Sequence, residues 1–150
     1  MKFINLKSIL FICFIVSIAL ITMRITPSST TIYKYFSDQL NGKTPIKVKI
    51  LETNIENNSD KEVIITDPDK VHKFVNKIYK YKVVKVNGID TNTYNPTKKY
   101  HISIYYEDNY KIRLIVDNLG YLKQVVPGSH KKGDVTFRIQ NQKIDYEEIK

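Results

Sequence analysis

The 150-residue sequence contains one cysteine and no tryptophan. Cys13 lies in the middle of an apolar run and follows Ile12, whereas a lipid-modified cysteine needs a small residue before it and stands at the end of such a run. We therefore expect no lipid on Cys13. Because no cysteine follows it, the rest of the chain contains no disulfide and must be stabilised by an apolar core alone.

The patterns that signal catalysis or metal binding are also missing. No serine lies in a Gly-x-Ser-x-Gly turn, and His72, His101 and His130 have no second ligand at a metal-binding spacing. Lys43 and Thr44 match the end of a phosphate loop, but the first glycine of that loop is absent. We therefore predict a protein that is not an enzyme and holds no cofactor or metal. A hydrolase with paired carboxylates is the less favoured alternative.

The N-terminus lacks acidic residues, since all 15 lie beyond Met23. Lys2 and Lys7 precede an apolar run over residues 9–23, and Arg24 closes it. A positive start followed by an apolar stretch is typical of a signal peptide or of an N-terminal anchor. We therefore predict that residues 1–25 are a membrane segment of one of these two kinds.

The choice between anchor and signal peptide depends on length and cleavage. As a helix, the run spans roughly 22 Å, less than the roughly 30 Å of the hydrocarbon core, and the apolar residues before it can supply the difference. Ser17 and Ala19 form a small-x-small cleavage site, but the apolar stretch before it is short. We favour a single-pass anchor over secretion. Both place the rest of the chain outside, because basic residues hold the N-terminus in the cytoplasm.

The remainder of the chain is basic. The net charge is +9, and only Lys2 and Lys7 of the 24 basic residues precede Met23, so residues 24–150 keep an excess of positive charge. Such an excess attracts lipid headgroups, wall polymers, acidic proteins or nucleic acid. An exported location argues against nucleic acid. The alternative is that the lysines only keep a small domain soluble.

The stretch from Val63 to Tyr81 predicts a strand followed by a capped amphipathic helix over 68–81. Its apolar positions recur at the spacing of one helix face, and they are Val71, Phe74, Val75 and Ile78. Asp67 is suited to cap the first turn, and Pro68 to the first helical position.

Residues 26–44 are predicted to be a linker that contains a short helix. Ile32, Phe36 and Leu40 recur every fourth position, and Asn41-Gly42 is a helix stop signal. This helix has two alternative placements: against the domain, or along the membrane surface with Tyr33 and nearby aromatic side chains at headgroup level.

Residues 45–150 are predicted to form an α+β domain, an antiparallel meander of five to seven strands with one helix on one face. The alternation of apolar and polar residues predicts strands near 46–50, 62–66, 83–86, 100–106, 110–116, 121–126 and 135–139. Asn87-Gly88 is a hairpin signal, but residues 89–99 are polar and include Pro96, so the return strand is weak and this stretch is predicted to be the longest loop. The most regular hairpin pairs Tyr100 with Val116 and Ile104 with Ile112, because this register puts every apolar residue on one face.

That register assigns a set of basic and aromatic side chains to the other face. The candidate binding residues are Tyr105, Lys111, Arg113, Tyr121, Lys123 and Arg138. His101, Ser103 and Ile115 share this face. Interleaved aromatic and basic groups bind anionic ligands through charge and stacking. They also occur on sheet faces that are merely solvated.

Two stretches, ITDPDKVHKFVNKIYKYKVVKV and YHISIYYEDNYKIRLIV, carry a resemblance. With them the chain resembles small uncharacterised extracytoplasmic proteins of Gram-positive bacteria, over roughly residues 46–126. The resemblance implies a single N-terminal anchor or signal, a strand that leads into a capped helix, and a meander with an acidic turn. It implies no catalytic residues.

These observations lead to a ranked expectation. The first hypothesis is a membrane-anchored or secreted binding or accessory domain whose basic-aromatic sheet face contacts an anionic envelope polymer, a lipid surface or an acidic protein. The alternative is a regulatory or immunity-type interaction domain that uses helix 68–81 or a sheet edge.

Overall fold

The computed structural model describes residues 11–17, 29–40, 42–90, 92–125 and 135–140. Residues 11–17 are helical and exposed. The elements that follow are β1 (Thr30–Thr31), α1 (Ile32–Leu40), β2 (Pro45–Asn54), β3 (Ser59–Ile65), α2 (Pro68–Tyr79), β4 (Lys82–Val86), β5 (Lys98–Tyr106), a 3₁₀ turn (Glu107–Asn109), β6 (Lys111–Asp117), β7 (Tyr121–Val125) and β8 (Thr136–Ile139).

The predicted α+β class with an antiparallel sheet is confirmed. The described strands form one eight-stranded sheet in the order β1-β4-β8-β7-β6-β5-β2-β3, and every pairing is antiparallel. β5, β6, β7 and β8 follow one another as a meander, whereas β2 crosses to β5 and β4 crosses to β8. Both α1 and α2 contribute to a single apolar core with one side of the sheet, which we call the inner face.

Helix α2 forms for the reasons visible in the sequence. The Lys70 backbone N–H donates to Asp67 Oδ1 at 2.9 Å, and Pro68 occupies the first turn. The four predicted apolar positions are buried, and so is Tyr79. The helix ends at Tyr79 rather than at Tyr81, whose backbone N–H closes the end on Ile78 O at 3.1 Å.

Helix α1 packs against the domain. Ile32, Phe36 and Leu40 are all at most 5% exposed and belong to the same core as α2. Just before α1, β1 pairs with β4, and the Ile32 backbone N–H donates to Tyr81 O at 3.1 Å. Of the two placements considered for this helix, the structure therefore has the docked one. The segment predicted as a linker supplies a strand and a helix to the folded unit.

The register predicted for the central hairpin is confirmed. Tyr100 faces Val116, and Ile104 faces Ile112. The turn closes through the Tyr106 backbone N–H, which donates to Tyr110 O at 2.9 Å. Beyond this hairpin, Leu122 of β7 faces Val116.

The Asn87-Gly88 signal does not close a local hairpin, and the next strand, β5, begins only at Lys98. β4 pairs with β1 and β8 and has no pairing with β5 in the described chain. The residues after Gly88 are polar and offer no alternating apolar run, whereas β8 places Phe137 and Ile139 on the inner face, where β4 can pair beside them. The long-range pairing therefore prevails over the local turn signal.

Several predictions fall on other parts of the chain. Within the described residues, no helix is both long enough and apolar enough to span a membrane. Except for residues 11–17, the predicted membrane segment 1–25 lies outside the described residues. The end of the predicted 121–126 strand and His130 also lie outside them.

Candidate functional site

The outer face of the sheet, opposite α1 and α2, is where the structure places all six candidate binding residues. They lie on four adjacent strands, with Tyr105 on β5, Lys111 and Arg113 on β6, Tyr121 and Lys123 on β7, and Arg138 on β8. The two arginines are exposed and the other four side chains are half-buried. Alternation along each strand produces this arrangement, because their sequence neighbours point into the core.

One aromatic-basic cluster surrounds Tyr105. Lys111 faces Tyr105 across the β5–β6 pair, its Nζ donates to the Tyr105 hydroxyl at 3.0 Å, and it lies 4.6 Å from the ring centroid. Lys47 of β2 approaches the same ring from the other side, at 5.4 Å. The hydrogen bond from Lys111, together with the neighbouring positive charge, lowers the pKa of Tyr105. This cluster therefore favours negative charge.

A second aromatic-basic cluster surrounds Tyr121. Arg138 pairs with Tyr121 across β7 and β8, and its guanidinium carbon lies 5.8 Å from the ring centroid. The Tyr94 ring packs edge-on against Tyr121 at 5.6 Å. The Tyr94 hydroxyl donates to Asp117 Oδ2 at 2.7 Å, so the loop before β5 folds over this end of the face. Burial, followed by the hydrogen bond to Asp117, raises the pKa of Tyr94.

Asp117 is a structural carboxylate rather than an exposed acid. It is 5% exposed and accepts hydrogen bonds from the backbone N–H groups of Leu119 and Tyr121, at 2.9 and 3.0 Å, as well as from Tyr94. The carboxylate is thus surrounded by donors and closes the β6–β7 turn. It adds little accessible negative charge to the outer face.

The strip between the two clusters is polar and basic. Arg113 faces Ser103 on one side and Val125 on the other, and Lys123 faces Ile115 and Thr136. The aromatic rings therefore lie at two ends of the face, with cations between them. The six candidates share a surface but do not converge on one point.

The sequence interpretation missed further cations of this face. Because β2 pairs with β5, Lys47 faces Tyr105 and Lys49 faces Ser103, while Lys99 of β5 faces Asp117. The alternation of lysine with apolar residues in β2 indicated that these side chains share one face, but it did not indicate which strand lies beside β2. Tyr94 was missed because it lies in a loop, where no periodicity fixes the position of a side chain.

Acidic side chains near this face are concentrated on the edge strand β3. Glu62 forms an ion pair with Lys49 at 2.7 Å, and this hydrogen bond raises the pKa of Lys49. Asp60 lies on the same strand and faces Thr53 of β2. From β8 to β5, Asp117 is the only carboxylate on the outer face of the described strands, and it is buried. The middle of the face is therefore positive.

The described residues include no group of three or more histidine, cysteine, aspartate or glutamate side chains placed to hold a metal ion. Comparisons of the chain with protein-family models, with curated proteins and with solved structures find no match.

Proposed function

We propose that the protein is an extracytoplasmic binding or accessory domain whose outer sheet face holds an extended anionic polymer of the cell envelope. One observation carries the proposal: each of five adjacent strands has at least one cation on that face. They are Arg138 on β8, Lys123 on β7, Lys111 and Arg113 on β6, Lys99 on β5, and Lys47 and Lys49 on β2.

The dimensions of this array favour a polymer. Neighbouring strands are about 4.8 Å apart, so five strands spread the cations over roughly 19 Å. An extended chain with a negative charge on each repeat matches such a row better than a compact anion does. The rings of Tyr105 and Tyr121 provide flat contact area within this array, and each has a basic group close to its ring.

The experiment is a binding titration of the full chain with polyglycerol phosphate, a phosphodiester polymer, over a series of salt concentrations. We expect binding that weakens steeply with salt, because exposed charges are screened. The variant Arg113→Glu/Arg138→Glu replaces two exposed cations on the outer face and should weaken binding about tenfold or more.

The control is Lys70→Glu/Lys73→Glu, which makes the same change in net charge on the exposed side of α2. It should bind nearly as the wild type does. Equal losses in both double variants would mean that only net charge matters, and would contradict a site on the outer face. Neutral dextran should not bind.

A second candidate function is an interaction domain that offers a sheet edge to a protein partner. β3 is the last strand of the described sheet, and the side chains of Ile64 on this strand and Ile46 on the neighbouring β2 are 49% and 51% exposed. Backbone pairing along an open edge depends little on salt. Envelope binding that persists at high salt and in the outer-face variant would favour this edge or helix α2.

The proposal includes the location of the domain. The charge and apolar pattern of residues 1–25 and the resemblance to single-anchor proteins of Gram-positive bacteria support export with an N-terminal anchor, or secretion after cleavage. The mass of the chain recovered from cells distinguishes the two, since an intact N-terminus indicates an anchor and loss of residues 1–19 a signal peptide. Recovery from the cytoplasm would contradict both.

A further inference from the structure

A pocket lies beside the Tyr105 cluster, with which it shares Lys111, between the end of α1, the 3₁₀ turn, the start of β6 and the end of β7. Its volume is about 500 Å³. Its lining includes Gln39, Asn109, Ile112, Gln124 and Val125. Volumes of this order are usual for small-molecule sites.

Gln124 is the feature of this pocket that calls for a ligand. It is only 7% exposed, on the inner face of β7 opposite Leu114, among otherwise apolar side chains. Its backbone N–H donates to Val135 O at 3.1 Å, but its side-chain carboxamide has no hydrogen-bond partner in the described chain. A buried carboxamide without partners costs free energy, and native structures seldom keep one without a use for it.

The other groups that line the pocket indicate which ligand Gln124 could bind. Gln39 and Asn109 bring two more carboxamides, and each carboxamide can both donate and accept hydrogen bonds. The Tyr110 hydroxyl donates to Gln39 Oε1 at 3.1 Å, so it orients that carboxamide and leaves its N–H groups available. Such a set of mixed donors and acceptors matches sugar hydroxyl and acetamido groups.

The charge and the apolar surface of the pocket further restrict the chemical class of ligand that it can bind. Lys111 and Arg113 also line it, and its described lining includes no carboxylate, so an acidic ligand is attracted and not repelled. Ile112 and Val125 supply apolar surface for a methyl group. The geometry points to a site for an acidic N-acetylated sugar, in which Gln124 hydrogen-bonds the acetamido or hydroxyl groups.

The test is calorimetric titration of the full chain with N-acetylmuramic acid, and with N-acetylglucosamine, which lacks the carboxylate. We expect saturable binding of the first sugar and about tenfold weaker binding of the second, because the lost charge pairs with the basic lining. Gln124→Leu keeps the apolar bulk and removes the carboxamide, and it should weaken binding about tenfold or more. Gln140→Leu, the same change at an exposed position on the end of β8, should leave binding unchanged.

Two further readouts keep the result decisive. A melting curve shows whether Gln124→Leu is folded, and in the wild-type protein the side-chain amide resonance of Gln124 should shift during the titration. Equal binding by folded Gln124→Leu, an unshifted resonance, or no saturable binding at millimolar sugar would overturn the site. Tighter binding of an N-acetylated acidic dipeptide would overturn the sugar assignment. Because Gln124 lies on the inner face, its variants should leave polymer binding at the outer face unchanged.

Discussion

Two tyrosine hydroxyls meet inside the core, one from α2 and one from β5. Tyr79 and Tyr106 are 8% and 1% exposed, and their hydroxyl groups are hydrogen-bonded to each other. Burial is the main cause that raises the pKa of Tyr79 to about 12, and burial also raises the pKa of Tyr106. In the unfolded chain both side chains ionise near pH 10.

This pair predicts a loss of stability in alkali. Above pH 10 the unfolded chain releases two protons that the folded chain retains, so the free energy of unfolding falls as the pH rises from 10 towards 12. Tyr79 alone accounts for about 2 kcal/mol over that window. Tyr79→Phe/Tyr106→Phe should be nearly neutral at pH 7, because both partners leave together, and should show a smaller alkaline loss. Urea unfolding at pH 7, 10, 11 and 12 measures both. Parallel losses in the two proteins would refute the prediction.

At the scale of residues, the sequence predicted which face of each strand a side chain occupies but not what it touches. Tyr105 and Lys111 were correctly placed on one face, because alternation fixes the face and the hairpin fixes the register. Gln124 was visible only as a polar residue in an apolar series. That its carboxamide lines a pocket depends on the end of α1, more than 80 positions away in sequence, which no local pattern encodes.

Among the elements, α1 extends the folded unit beyond the predicted domain 45–150. Phe36 is 1% exposed, and Tyr35 beside it packs edge-on against Phe137 of β8 at 4.8 Å. The helix therefore contacts a strand that is about 100 residues later in the chain. Such a contact indicates that α1 folds with the sheet and is more than a linker.

Phe36→Ala tests this role of α1. Removal of a fully buried ring should lower the free energy of unfolding by about 3–5 kcal/mol and still leave one cooperative transition. Lys34→Ala, an exposed change on the same helix, should alter it by less than about 0.5 kcal/mol. Thermal unfolding followed by circular dichroism provides the comparison. A small effect of Phe36→Ala would mean that the domain is stable without α1.

Local sequence signals predicted some elements correctly and failed for others. The cap and the apolar stripe of α2, and the β5–β6 hairpin, depend on residues a few positions apart, and both were predicted. The strands that pair with β4 were not predicted. Its partners β1 and β8 lie about 50 residues away on either side, and their pairing satisfies the core rather than the turn at Asn87-Gly88.

For the whole molecule, the two faces of the sheet differ in composition and in burial. The inner face and the two helices provide the apolar core that a chain without disulfides needs. This leaves the outer face without a described helical cover, and there the lysines and arginines of five strands accumulate. Sequence analysis predicted this division between faces, but the width of the basic array became visible only when β2 was placed beside β5.

If the predicted membrane segment is retained as an anchor, the position of β1 sets how far the domain can lie from the membrane. β1 begins at Thr30, and the predicted membrane segment ends at residue 25. In a chain that keeps this segment, the intervening residues reach at most about 15 Å even when fully extended. The β1 edge of the sheet then stays within that distance of the lipid, and β3 is the strand farthest from the tether. In an anchored chain of this kind, a partner of the basic face would have to lie in the layer next to the bilayer, whatever the thickness of the envelope beyond it.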